Sequence, residues 1–500
     1  MFIQVIFNAI SNYAHLIISI IIALVMSPFL VHTLGDFFYG VWSIIAAITG
    51  YFSLLDLGMN RAIVRYISKY DAEQDTDSLN VFFNTSLVLF SAMGLIIALA
   101  TLGISKNFDR FLDLQNHATI VKTVVLIAGM DFAFSFPFGA IYAVLIAKQR
   151  HTVANKINII NTLLRNGAIY ISLSFYPDLV VLAVCNVIFN IGRNLYIFTE
   201  TKKVAPVIHY RITLFDRRII KRIYNYSLYS FASSVSARVI NFTDEIVVGH
   251  FLKVSDVTYY AIAVNLISYF EKIVWAGASV FVPYISQLDA SGEQARIERS
   301  FYLGSRFTLL LTLYIFYGIL FLGKPFIHVW MGQQYALQAF PVLVLLATAK
   351  VISSGQSMTV ARLFGTSQHK FIGILNSIEA VTNLVLSLIL VHWYGMVGVA
   401  FATLIPCLAC NGVVLPIFTL RVFNLSVFTF IRQSIAGPVA AFVAASYIVY
   451  LLGVSAASFV QIVIQGIKIS AFFLLFALLF CVDRDLLNLL RMKWETKKSQ

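Results

Sequence analysis

Residues 52–75 read "FSLLDLGMNRAIVRYISKYDAEQD", an apolar run that turns basic at Arg61 and acidic at Asp71. Inside it, "VRYISKYDA" at 64–72 is matched at six of nine positions by "VPYISQLDA" at 282–290, 218 residues later. The same offset lays Tyr51-Phe52 on Tyr269-Phe270 and His32 on His250. It also lays 145–160 on 363–378, where Leu145, His151, Asn158 and Ile160 meet Leu363, His369, Asn376 and Ile378. One gap-free offset over four regions reads as an internal duplication.

Composition sets the solvent in which that duplication folds. Of 500 residues, 59% are hydrophobic, only 12% are charged and 43 are Phe, too little charge to cover a water-soluble surface. Apolar stretches of the ~20 residues that span a bilayer recur along the chain. About fourteen are placed, at 5–30, 39–59, 80–103, 121–147, 156–174, 179–198, 226–250, 257–283, 301–322, 340–361, 371–391, 395–420, 434–452 and 459–481. The runs are continuous rather than alternating, which excludes a β-barrel. The first is too long for the core of a cleavable signal and has no Lys or Arg ahead of it, so it is expected to stay as a helix.

The expected fold is an all-α integral membrane protein of about fourteen transmembrane helices. Two six-helix lobes sit in pseudo-twofold arrangement around a central cavity, followed by a C-terminal helix pair. An even number of helices per repeat makes the repeats parallel, and alternating access is the natural function of such a pair. The expected divisions are 1–210, 211–425, 426–482 for the last pair and 483–500 for a cytoplasmic tail.

Basic residues sort by side. Alternate loops beginning with 60–79 carry 23 Lys or Arg, and the intervening loops carry 4. That asymmetry predicts both termini on the cytoplasmic side. The net charge of +13 is then spread over loops beside helices, where it meets anionic membrane lipids rather than nucleic acid. Cys185, Cys407, Cys410 and Cys481 lie in apolar spans. Cys407 and Cys410 form a C-x-x-C without a second pair, so packing is expected rather than zinc or redox chemistry. No cofactor or metal site is predicted.

A charged side chain within a span is costly and should face a cavity or a partner. At helical spacing the polar residues line up, as in Asn158, Asn161 and Arg165, or Asn190, Arg193 and Asn194. The longest stripe is Ser227, Ser230, Ser234, Arg238, Asn241 and Glu245. Single Ser and Asn residues read as helix–helix glue. The cations Arg165, Arg193, Arg238, Lys272 and Lys350 are the candidate substrate-binding groups. Asp56, Asp131, Asp244, Glu245 and Glu379 are candidates for coupling H+ or Na+, or for counter-ions. Glu271 is expected to pair with its neighbour Lys272, and Arg238 with Glu245. Several Arg in one cavity favour an anionic cargo, because guanidinium binds phosphate oxygens bidentately. Pro137, Pro283, Pro406 and Pro416 should kink their helices.

The residues "GDFFYGVW" at 35–42 and "LLDLGMNRAIVR" at 54–65 resemble the first helical hairpin of polysaccharide-transporter (Wzx-type) flippases. These belong to the multidrug/oligosaccharidyl-lipid/polysaccharide exporter superfamily. Gly35, Asp36, Tyr39, Gly40, Gly58 and Arg65 carry the likeness as structural positions, and "DEIVVGHFL" at 244–252 is similar to the entrance of that family's second lobe. The resemblance implies a V-shaped pair of bundles and a flippase rather than an enzyme, with no catalytic residues. Its cargo would be an undecaprenyl-pyrophosphate-linked oligosaccharide, an O-antigen or other surface polysaccharide repeat unit. That cargo would cross the bacterial cytoplasmic (inner) membrane, with other polysaccharide-assembly proteins as partners.

Two other functions compete. A cation-coupled multidrug exporter of the same superfamily would find five mid-span cations repulsive to cationic cargo. A glycan polymerase or ligase needs acid/base residues at the outer face. Loop 104–120 offers Asp109, Asp113 and His117 for that role.

Overall fold

The computed structural model describes residues 2–278, 281–366, 368 and 370–481. The tail placed at 483–500, His369, and the side chains of Ser227 and Ser230 lie outside the described residues. Within them the chain is helical almost throughout and contains no strand. The first half runs α1 (Phe2–Phe52), α2 (Met59–Ala72), α3 (Thr76–Asn107), α4 (Ala118–Ser135), α5 (Phe138–Ala147), α6 (His151–Phe175) and α7 (Leu179–Val204). The second runs α8 (Arg217–Phe251), α9 (Val254–Ala278), α10 (Phe281–Ala290), α11 (Gln294–Met331), α12 (Gln333–Gly355), α13 (Ser357–Gly365) and α14 (Lys370–Cys407). After a π-helical stretch, Leu408–Val414, come α15 (Leu415–Val422), α16 (Val427–Phe430), α17 (Ala436–Leu452) and α18 (Phe459–Cys481).

The duplication is written into the helix ends. Ala72 and Ala290 close α2 and α10, Thr76 and Gln294 open α3 and α11, and Ala147 and Gly365 close α5 and α13. Each pair is 218 residues apart. The opening stretch is repeated because its packing is repeated. The Ser68 hydroxyl donates to the Ala147 carbonyl at 3.0 Å, and Lys148 forms an ion pair with Asp71. One offset later, Gly365 lies so close to the 285–286 backbone that an added Cβ would sit 2.8 Å from the Ile285 side chain.

Nine stretches of described helix are long and apolar enough to cross a bilayer. The helices α6, α8 and α9 are also long but fall outside that set, because Asn, Ser, Arg and Glu dilute their apolarity. Two of the nine, Ile10–Asp56 and Lys370–Val422, are too long for one crossing at ~1.5 Å per residue and break at glycine. Gly35 has φ 79° and Gly395 has φ 56°, a left-handed region open to glycine. The second break is a hairpin: Asn383 on one arm donates to Thr403 Oγ1 on the other at 3.0 Å. Pro137 acts as expected, ending one helix at Ser135 before the next begins at Phe138.

Two compact units emerge, residues 1–261 and 262–500. The first takes in α8, which the duplication places at the start of the second half. The reason is packing: Phe242 and Thr243 on α8 meet the Tyr51 ring and hydroxyl of α1. Its core gathers Ile63, Ile67, Phe82, Phe83, Ile141 and Val144 from α2, α3 and α5. In the second unit, α17 and α18 pack on α11 around Tyr317, Ala441, Ala445 and Phe473.

Residues 207–211, in the segment between α7 and α8, lie against α3 as an extended peptide. The Asn80 side chain donates to Val207 O at 2.9 Å and accepts from His209 N at 2.6 Å. One turn on, Asn84 donates to His209 O at 2.6 Å and accepts from Arg211 N at 2.8 Å. Two buried amides thus satisfy alternate backbone groups as a neighbouring strand would. Tyr210 meets the Phe83 and Phe198 rings edge to face, and burial pushes its phenol up to about 12. Replacing Asn80 and Asn84 by alanine removes all four bonds, each contributing ~1 kcal/mol. Amide exchange at His209 and Arg211 should then quicken roughly tenfold or more. Unchanged exchange at those two amides would remove the clamp from the account.

Candidate functional site

Polar residues on α4, α6, α7 and α8 come together inside the first unit. On α7, Asn190 donates to Asp131 Oδ2 at 2.6 Å, and Asn194 donates to Ser135 Oγ at 2.9 Å. Both bridges step one turn in the same direction, so α4 and α7 run parallel. Between the two asparagines Arg193 is turned to the same face, with one hydrogen bond, from Nη2 to Asn194 Oδ1 at 3.3 Å. Arg165 on α6 lies within electrostatic reach of Arg193 and Asp131. The Nε atoms of Arg165 and Arg193 and the Oδ1 of Asp131 are buried without hydrogen-bond partners.

Of these groups, Ser135, Arg193 and Asn194 border a cavity of about 540 Å³, within the size range of ligand sites. Arg193, Arg238, Asp56, Asn60, Tyr142 and Asn158 supply its polar lining, and Phe90, Phe132 and Phe136 much of the rest. Arg238 lies over the Phe242 ring at 5.3 Å and makes no ion pair with Glu245, contrary to expectation. The half-buried Glu245 is two helical turns along the same helix. Asp56 accepts from Asn60 N at 3.0 Å at the start of α2, so its carboxylate serves that helix end. Among the described residues, two guanidinium groups therefore face the cavity without a carboxylate paired to either. Asn60, Ser135 and Tyr142 were not singled out from the sequence. Asn60 fell at a span end, and Tyr142 sits in the apolar run "FGAIYAVL", which carries no polar period.

The positions that carried the family likeness form a clasp. Thr258 Oγ1 donates to Asp36 O at 2.6 Å and Tyr259 Oη donates to Asp36 Oδ2 at 2.9 Å. A Cβ on Gly40 would stand 2.2 Å from Val254 O, so α9 begins in direct contact with that backbone. Tyr39 is buried beside it. Gly58, at φ 76°, precedes the first residue of α2, and the Arg65 guanidinium lies 5.8 Å from the Tyr66 ring centre. Asp244 is buried and accepts from Tyr260 Oη at 2.7 Å. Gly40→Ala must displace a backbone carbonyl, a strain of about 1–3 kcal/mol or more. A thermal unfolding midpoint equal to wild type would show that the clasp yields freely.

The second unit distributes its charges differently. Glu271 pairs with Lys350, Nζ to Oε1 at 2.5 Å, and not with Lys272 as the adjacency suggested. Neighbours in a helix point about 100° apart, whereas Lys350 approaches from α12. Lys272 is exposed, 5.4 Å from the Tyr269 ring centre. Glu379 is buried and accepts from Asn411 Nδ2 at 2.7 Å. Cys407 and Cys410 are buried free thiols, and among the described residues no group of three or more His, Cys, Asp or Glu could hold a metal ion.

Fold and cavity together define a multi-pass helical membrane protein with a cation-lined cavity. The solved structure titled "Lipid II flippase MurJ, inward closed conformation" superposes with a TM-score of 0.75 at 18% identity, covering 96% of this chain and 100% of that one. The family described as "Polysaccharide biosynthesis protein" matches residues 5–289; the chain belongs to that family. The probable low-salt glycan biosynthesis flippase Agl15 of Haloferax volcanii is 29% identical over 183 residues, 37% of this chain and 39% of the relative's own length. A Shigella flexneri protein named as a candidate O-antigen transporter is 23% identical over 407 residues, 80% of this chain and 94% of that one.

Proposed function

We propose that this chain flips a lipid-linked oligosaccharide across the bacterial cytoplasmic membrane by alternating access, its termini on the cytoplasmic side. The carrier lipid is undecaprenyl pyrophosphate, and the glycan is an O-antigen or another surface polysaccharide repeat unit. One observation carries the reading. Arg193 and Arg238 line a cavity in the first unit, and among the described residues neither guanidinium is committed to a carboxylate. A pyrophosphate offers several anionic oxygens to two such forks. Arg165 reinforces the positive field behind Arg193, while Asn60, Asn158 and Tyr142 offer hydrogen bonds to sugar hydroxyls. Lys272, exposed in the second unit, is a further cation for the same cargo; Lys350 is already engaged by Glu271. The names given to the two relatives support a glycan cargo.

A multidrug exporter is the second reading, and the cation-lined cavity opposes it by repelling cationic cargo. Deleting the gene and analysing lipid-linked saccharides by leaflet tests the proposal. The flippase reading expects a pyrophosphate-linked repeat unit to accumulate on the cytoplasmic leaflet. No accumulation, with organic cations retained in the cell instead, would favour the exporter.

A further inference from the structure

The clamp on α3 holds one edge of residues 207–211 and leaves the other. In an extended chain the N–H and C=O of one residue point to the same side, and those of the next residue point to the opposite side. Val207 O, both backbone groups of His209 and Arg211 N are held by Asn80 and Asn84. The opposite edge therefore belongs to Ile208 and Tyr210. There Ile208 N is engaged in a turn, donating to Ala205 O at 3.1 Å. Among the described residues no partner serves Ile208 O, Tyr210 N or Tyr210 O. Backbone groups need partners, and an unpaired strand edge is a template for another chain.

This edge is held in shape. Its inward side chains are Ile208, 6% exposed, and Tyr210, whose ring meets Phe83 and Phe198. A turn closes each end, the Ala205–Ile208 bond before it and Leu214 N to Arg211 O at 3.1 Å after it. A strand already fixed in extended form spares an incoming chain part of the ordering cost of binding. Charge says which chain fits. Val207, His209 and Arg211 are exposed, and the exposed Lys202 lies 4.4 Å from the Phe198 ring centre and 5.8 Å from that of Tyr210. Arg217 is exposed at the start of α8. Lys203 and Arg218 are paired with Glu200 and Asp216, whereas Lys202, Arg211 and Arg217 pair with no carboxylate among the described residues. The acidic groups Asp75 and Asp77 stand at the start of α3, beyond the Val207 end, and Asp75 caps that helix by accepting from Ser78 N at 3.0 Å.

We propose that residues 207–211 form a docking edge for an extended, acidic segment of another protein, which adds as a strand beside Ile208 and Tyr210. One residue of that segment exchanges both backbone bonds with Tyr210, as opposed residues do in an antiparallel ladder, and Ile208 O accepts one more. Side chains alternate across a strand. The residue opposite Tyr210 is therefore apolar, continuing the inward face, and its two neighbours are carboxylates that meet His209 and Arg211 on the solvent face. Main-chain bonds supply the affinity and the alternate side chains the choice of partner. An anionic lipid surface is recognised by charge alone and has no use for a fixed backbone edge. The proposal goes beyond the flippase reading and does not depend on the cargo.

The test uses the purified full chain in detergent and a fluorescein-labelled peptide of about seven residues alternating valine with glutamate. Binding is read by anisotropy, and hydrogen exchange is followed at single amides. The peptide should bind and slow exchange of the Tyr210 amide roughly tenfold or more, with the clamped His209 and Arg211 amides unchanged. N-methylation of the valines blocks the strand bonds, keeps the charge and should remove both effects. Arg211→Glu should weaken binding roughly tenfold by setting like charges together. Should that variant fail to fold, a peptide with lysine in place of glutamate carries the same test on the wild type and should bind as weakly. Equal binding after N-methylation, or binding that leaves Tyr210 exchanging at its free rate, overturns the proposal, as does no binding at about 1 mM peptide. Exchange at Tyr210 slowed by phosphatidylglycerol nanodiscs and not by the peptide overturns it in favour of a lipid surface. None of these readouts involves glycan, so their failure leaves the flippase reading standing, and a chain that moves no glycan leaves the docking edge standing.

Discussion

Replacing Arg193 and Arg238 together by alanine should abolish export of the glycan while the chain still accumulates in the membrane. A hydrogen bond from a charged donor contributes about 1.5–3 kcal/mol, and every 1.4 kcal/mol is about tenfold in binding. Each arginine should thus cost about tenfold to one hundredfold, and the pair more than either alone. Both side chains line the cavity, and neither anchors a carboxylate whose loss would unfold the unit, so the defect should fall on transport rather than on stability. Lysine at either position keeps the charge and loses the planar fork, and should recover part of the activity. Arg165→Ala should be milder, because Arg165 does not border the cavity and lies in the field of Arg193 and Asp131. The readout is surface polysaccharide restored to a deletion strain, normalised to protein in the membrane. Full restoration by the double alanine variant would remove the pyrophosphate clamp.

The largest stability effect should come from Lys350→Met. It leaves Glu271 without its counter-ion. Breaking a fully buried pair costs about 3–5 kcal/mol; Glu271 keeps 36% side-chain exposure, so about 2 kcal/mol is expected. For a unit of this size that lowers the unfolding midpoint by about 4–8 °C. Adding Glu271→Gln should restore most of the loss, since the second change removes the stranded charge. A double variant as unstable as Lys350→Met would mean that lysine packing, not charge, holds α12 in place.

Much of this was legible because the bilayer simplifies the reading. Apolar length marked long helices, and among the described residues nine stretches, rather than the fourteen expected, are apolar enough to cross a bilayer; the 218-residue offset marked a helix end that recurs at Ala72 and Ala290. The candidate site was legible in part. Helical period placed Asn190, Arg193 and Asn194 on one face, where α4 meets them. What failed was pairing. Adjacency suggested Glu271 with Lys272, and a two-turn spacing suggested Arg238 with Glu245. Glu271 in fact finds Lys350 on another helix, and Arg238 finds the Phe242 ring one turn along its own. Spacing along one helix does not report which neighbour faces it. The Asn80 and Asn84 clamp was invisible for the same reason, since its partners are backbone groups 125–129 residues away.

The most direct measurement follows a pyrophosphate-linked oligosaccharide sealed in the inner leaflet of proteoliposomes that contain the purified chain. External glycosidase reports how much reaches the outer leaflet over time. The account predicts a progressive rise that depends on Arg193 and Arg238. A glycan that stays protected, in vesicles whose protein instead carries an organic cation such as tetraphenylphosphonium, would contradict it.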